Sequence, residues 1–132
     1  MLKLEIVTPE KRVLDTEVDS VTVPTASGEA GILPQHAPLV SALKPGVLAY
    51  SIKGSTDRLA VSSGFVEVNN DKVAVLVDTA ETGDEIDAAA ARSDRDAEDK
   101  TASAAGTITV EEAEAARESV DLADARIAVA GR

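Results

Sequence analysis

The chain has 132 residues, with 24 Asp/Glu against 13 Lys/Arg and a formal net charge of −11 at pH 7. That length suits one ordinary domain or two small ones, and such acidity excludes a surface built to neutralise phosphates, so no nucleic acid is expected as a partner. The absence of cysteine excludes disulfides, thiolate nucleophiles and cysteine-bound metals, and fits a reducing, intracellular setting.

The first residues, M-L-K-L-E-I-V, alternate apolar and charged side chains, which predicts a half-buried strand and not a signal peptide. Val18, Val21 and Val23 form a second short run that Pro24 is expected to close. After the turn signal Lys44-Pro45-Gly46, Leu48, Tyr50 and Ile52 repeat the period-two pattern, followed by Leu59 and Val61. Phe65, Val66 and Val68 come next, and Val73, Val75 and Val77 end the series after Asn69-Asn70-Asp71, a predicted hairpin turn. Short β-branched runs broken by Gly, Pro and Asn predict an all-β sandwich, antiparallel, with short strands. Tyr50 and Phe65 are the only aromatic residues, so Val, Leu, Ile and Ala must fill its core.

Past Gly83 the composition turns to alanine and charge. Residues 1–83 carry seven Lys/Arg against eleven Asp/Glu, whereas residues 84–132 carry six against thirteen. This shift predicts a boundary near Gly83, with a sandwich domain at 1–83 and a C-terminal helical domain at 84–132. Asp84 is the expected N-cap of a first helix, with Asp87 at its third helical position, and Gly106 breaks that segment. Thr109-Val110-Glu111-Glu112 reads as a capping box for a second helix. Ala113, Ala116, Val120, Ala123, Ile127 and Ala130 give it a coiled-coil-like seam, so an antiparallel two-helix hairpin is predicted. At about 25 cal/mol per Å2 of apolar area, an alanine seam contributes far less than a leucine seam, so this hairpin should be marginally stable alone. No apolar run approaches the roughly 20 residues of a membrane span, so a soluble chain without direct membrane insertion is expected.

Nothing positive points to catalysis. No phosphate-cradling glycine motif occurs, and one histidine without cysteine gives no His/Cys metal cluster, so neither metal nor cofactor is expected. Asp94, Asp96, Glu98 and Asp99 read as a solvated helix face. Ser62-Ser63-Gly64 has no base nearby in sequence and reads as a strand end.

The most distinctive stretch is G-E-A-G-I-L-P-Q-H-A-P-L, residues 28–39. Gly28 and Gly31 permit positive φ while Pro34 and Pro38 restrict it, which predicts a loop of fixed shape. Bearing Ile32, Leu33 and Leu39 beside the single His36, it suits recognition better than catalysis. The residues leave two readings of His36 open: a partner contact, or a side chain that only holds the loop.

With K-P-G-V-L, S-S-G-F-V-E-V-N and K-V-A-V-L-V-D-T-A-E in the same order and spacing, residues 1–83 resemble the ε subunit of bacterial and chloroplast F-type ATP synthase. That resemblance implies a non-catalytic rotor subunit, linking the γ subunit to the c-ring, peripheral on the cytoplasmic face of the bacterial inner membrane. By position it implies γ and c-ring contacts at Glu29, His36, Ala37, Pro38 and Leu39. It further implies that the C-terminal helices can reach the catalytic αβ head and inhibit ATP hydrolysis, with Arg126 the candidate contact. An exposed arginine offsetting nearby acids is the other reading of Arg126. Glu111, Glu112, Glu114, Glu118, Asp121 and Asp124 on the same helix would oppose docking to an acidic partner segment. Some family members bind regulatory ATP through I/L-D-x-x-R-A, here starting at Ile86 and Asp87 but with Ala90 where arginine is expected. Weak or absent ATP binding is therefore expected. A stand-alone β-sandwich binding module with a helical appendage is the alternative to the rotor reading.

Overall fold

The computed structural model describes residues 1–86, 89–90, 92 and 110–130. Ten strands fill residues 2–82: β1 (Leu2–Val7), β2 (Arg12–Val18), β3 (Ser20–Thr25), β4 (Gly28–Ile32), β5 (Leu39–Leu43), β6 (Gly46–Ile52), β7 (Ser55–Val61), β8 (Gly64–Asn69), β9 (Lys72–Val77) and β10 (Ala80–Thr82). They run in the order β10-β7-β6-β3-β5-β8-β9-β1-β2, with β4 beside β3, and fold over into a nearly closed sandwich. The layers meet at β3. Along one edge it pairs with β4 from Val21 to Thr25; along the other it passes from β6 at residues 20–22 to β5 at Thr25↔Leu43.

The core follows from the alternation. Leu2, Leu4 and Ile6 of β1 face Val18, Val21, Val23, Ile32, Leu48, Leu59, Val61, Val66, Val68, Val73 and Val75, all fully or almost fully buried. As expected, aliphatic side chains fill it, and Phe65 lies outside. The Asn69–Asp71 turn is the expected hairpin. Asn70 and Asp71 have φ of 51° and 60°, the paired left-handed conformation that matches strand twist in a two-residue loop. Lys53 and Gly54, at φ 51° and 81°, form the same kind of turn between β6 and β7.

Four sequence-based expectations need correction. The sandwich is not wholly antiparallel, because β1 lies parallel to β9 (Lys3↔Lys72 to Val7↔Leu76). The two are far apart in the chain and no hairpin dictates their relative direction. Pro24 does not close a strand. It sits inside β3, where its carbonyl accepts the Lys44 N–H at 3.0 Å and β4 supplies a second partner strand. Gly31 lies within β4 and has no positive φ; Gly28, at 123°, does. Asp84 is not a helix N-cap but sits inside a 3-10 turn, Gly83–Glu85, after which Ile86 is extended. That turn forms because the Glu85 carboxylate takes the Thr82 N–H at 3.1 Å and the Thr82 hydroxyl at 3.0 Å.

One helix, α1 (Val110–Ala130), packs on β6 and β7. Ala125 and Val129 meet Ala60 and Ile86 there, flanked by Val47, Ile127 and Ala130. Of the expected seam, Ala123 is buried and Ile127 and Ala130 pack at the sheet, but the centre of the contact is Ala125 and Val129, which lie off it. The first helix of the expected hairpin lies outside the described residues apart from positions 89, 90 and 92.

Candidate functional site

The loop from Leu33 to Pro38 joins β4 to β5 at one end of the sandwich. Strand register brings the 19–20, 53–54 and 69–71 turns and the N-terminus to the same end. Within the loop the His36 N–H donates to the Leu33 carbonyl at 3.1 Å, closing a turn over Pro34 and Gln35. Gln35 has φ 67°, and its N–H donates to Asp71 Oδ1 at 2.6 Å. His36 Nδ1 lies 2.7 Å from the carbonyl oxygen of Ala37, so the imidazole braces its own loop while remaining partly exposed. Leu33 is 63% exposed, and Pro34, Ala37 and Pro38 are also exposed. Glu29 is exposed but sits in β4 opposite Pro24, away from the loop's tip. The loop is thus a held shape that offers apolar atoms to solvent.

A second exposed apolar surface begins where the loop ends. Ala42 of β5, Phe65 of β8, Leu76 of β9 and Val7 of β1 are successive cross-strand neighbours on the outer face. Phe65 is 60% and Leu76 52% exposed, and Val40, one step along β5 on the same face, is 73% exposed. A shallow groove of about 590 Å3 runs beside this row, lined by Val7, Pro9, Ala42, Phe65, Leu76 and Val77 among others. A soluble sheet normally turns polar residues outward, and a row of large exposed apolar side chains marks an interaction face. Sequence reasoning missed it, although a signal exists: in K-V-A-V-L-V and G-F-V the apolar residues occupy both parities of the strand.

The remaining candidates lie at the far side, around α1. Ile86 is nine-tenths buried between the sheet and α1, so its side chain packs there. Asp87 lies outside the described residues, as do Asp94, Asp96, Glu98 and Asp99. Arg126 is not a freely exposed arginine. Its Nε is 2.9 Å from Glu81 Oε1 and its Nη2 donates to Oε2 at 3.4 Å, with both side chains about three-quarters buried. Glu85, tied to the Thr82 backbone and hydroxyl, has its carboxyl pKa lowered from the ordinary 4.5 by those two hydrogen bonds. Ser62 is structural, its Oγ accepting the N–H groups of Asp78 (2.9 Å) and Thr79 (3.0 Å). Among the described residues, no helix is long and apolar enough to cross a membrane.

A small β-sandwich that turns one apolar sheet face and one rigid loop outward, with a helix clipped to its flank, defines a binding subunit. Residues 1–83 match the model of the ATP synthase delta/epsilon chain β-sandwich domain. The chain is 51% identical over 86 residues to the ATP synthase epsilon chain of Carboxydothermus hydrogenoformans, spanning 65% of this chain and 64% of that one. To the epsilon chain of Desulforamulus reducens it is 49% identical over 115 residues, 86% of this chain and 87% of the relative. The fold is shared with a chain in the OSCP/F1/c-ring structure of Euglena gracilis mitochondrial ATP synthase (TM-score 0.81, 22% identity, 99% of this chain and 81% of that one). It is also shared with one in the central stalk/c-ring structure of Tetrahymena thermophila mitochondrial ATP synthase (TM-score 0.64, 18% identity, 96% of each). The chain belongs to the delta/epsilon family of ATP synthase subunits, whose role in that enzyme is accessory and non-catalytic.

Proposed function

We propose that the chain is the ε-type central-stalk subunit of a proton-translocating ATP synthase, linking γ to the c-ring. The observation that carries this reading is the exposed apolar row Ala42–Phe65–Leu76–Val7 together with the rigid loop toward the other end of the same strands. A stalk subunit must hold two partners at once, and these two surfaces lie toward different ends of the same strands. In this reading residues 1–83 are the rotor-binding domain. The sheet face takes γ, and Glu29, His36, Ala37, Pro38 and Leu39 lie at the γ/c-ring junction. The subunit works peripherally, on the cytoplasmic face of the bacterial inner membrane, and residues 84–132 are a regulatory arm.

The arm rests on the sandwich through small side chains and the Arg126–Glu81 ion pair. For Arg126 to meet an acidic segment of the catalytic αβ head, it must first leave Glu81. The six acidic residues from Glu111 to Asp124 add like-charge repulsion, which supports weak inhibition of hydrolysis. ATP is not expected to regulate the arm, since Ala90 supplies no guanidinium and Ile86 is taken up in packing. The test is capture of the full chain by a γ–c-ring assembly lacking its own ε subunit. Stoichiometric capture is expected, and indifference to that assembly would overturn the reading in favour of a stand-alone binding module.

A further inference from the structure

The loop proposed to meet the rotor is held in a conformation its own sequence disfavours. Pro34 presets the first corner of the Leu33–His36 turn, but the second corner needs a positive φ, a place normally given to Gly or Asn. Gln35 occupies it at 67°. Its N–H is taken by Asp71 Oδ1 at 2.6 Å, from 36 positions further along the chain. Asp71 is itself at φ 60° in the β8–β9 turn, and its carbonyl oxygen accepts the Lys3 N–H at 2.8 Å. A single residue thus joins the loop, the hairpin and the first strand. The same device recurs at Lys53, φ 51°, whose N–H donates to Asp19 Oδ2 at 2.7 Å. Gln35 and Lys53 thus each give a left-handed residue's N–H to an aspartate on a distant segment.

We propose that Asp71 is the positioning residue of the interaction loop. Its carboxylate holds Gln35 left-handed and thereby fixes how Leu33, His36 and Pro38 are presented to the partner. The inference rests on reading the loop as a rotor contact, and it adds that the contact's shape is set from the β8–β9 turn. Charge-assisted acceptance from a backbone N–H is among the stronger single hydrogen bonds, and here it opposes a local backbone preference.

The test uses the full chain, with two readouts: amide exchange at Gln35 and affinity for a γ–c-ring assembly lacking its own ε subunit. Asp71→Gly keeps a residue that adopts φ 60° freely but removes the acceptor. Asp71→Asn keeps an acceptor oxygen and tolerates the left-handed turn. Leu33→Asp spoils the loop's surface directly. In Asp71→Gly, Gln35 exchange should rise and affinity fall, each about tenfold, as expected for one charge-assisted hydrogen bond. Asp71→Asn should change by only about threefold on both readouts, since its acceptor is retained without the charge. Adding Gln35→Gly to Asp71→Gly should restore part of the affinity, because glycine needs no holding at φ 67°. This rescue also carries the test if Asp71→Gly alone folds poorly. Unchanged Gln35 exchange in Asp71→Gly would overturn the proposal, and so would an Asp71→Asn as weak as Asp71→Gly. Faster exchange with unchanged affinity, while Leu33→Asp still abolishes binding, would overturn the positioning role and leave the loop reading standing. Unaltered binding by Leu33→Asp would remove the loop reading, and this proposal with it.

Discussion

At Gly64 a side chain has no room. A Cβ there would fall onto the Leu76 carbonyl oxygen and lie 2.9 Å from Val77 Cα, both backbone atoms of the neighbouring strand. Gly64 opens β8 between Leu43 and Val77, so relief would require parting two ladders. Gly64→Ala should therefore destabilise the sandwich by about 3 kcal/mol in urea denaturation, at the upper end for overpacking. A loss below about 1 kcal/mol would mean that the strands yield easily. Glu85 makes a different prediction, in pH. Its lowered pKa means that the folded protein favours the carboxylate more than the unfolded chain does. The stabilisation is therefore full above the ordinary carboxylate range and is lost as pH falls through the depressed folded value. In Glu85→Gln the acid-induced loss of stability should be shallower over that interval. A pH profile unchanged by the substitution would show that the turn at Gly83–Glu85 does not depend on the ionised group.

The strands show how much of the fold the sequence carries by itself. The core parity of β1, β6, β8 and β9 and the Asn70-Asp71 turn are legible because one face is buried and a two-residue hairpin demands positive φ. What was not legible depends on partners distant in the chain. β4 lies inside the stretch read as a loop because β3 happens to offer an edge, and β1 lies parallel to β9 by closure of the sheet. The loop itself was legible as a shaped recognition element, but not the residue that holds it, since nothing local links Gln35 to Asp71. For α1 the spacing indicated a helix and the flank of the face that meets the sheet, Ile127 and Ala130, yet not its centre. That face buries mainly Ala125 and Val129, so its docking should separate from the stability of the sandwich. Val129→Asp should release α1, seen as fast amide exchange along Val110–Ala130, while the urea midpoint of the sandwich stays put. Simultaneous loss of both would show that helix and sandwich fold as one unit. Titration calorimetry on the full chain should detect no ATP binding at micromolar concentrations, because Ala90 lacks the phosphate-facing guanidinium; micromolar affinity would contradict this.

For the molecule as a whole, the charge is unevenly placed and so are the apolar surfaces. The sandwich turns Phe65, Leu76 and Val40 outward on one side and carries α1 on β6 and β7. In the proposed role, a subunit arranged this way stays attached through its sheet face and loop whatever its helix does. In that arrangement the sheet face is where the subunit is held. The measurement that tests this is the affinity of the full chain for a γ–c-ring assembly lacking ε, compared with a Phe65→Lys, Leu76→Glu double variant, whose opposite charges face each other across β8 and β9. Both side chains are exposed, so the variant should fold with an unchanged urea midpoint. Its affinity should fall by at least about 100-fold, as for losing two central apolar anchors and burying charge in their place. Equal affinity of the two chains would show that the apolar row is not where the subunit is held, and would overturn its role as the binding face.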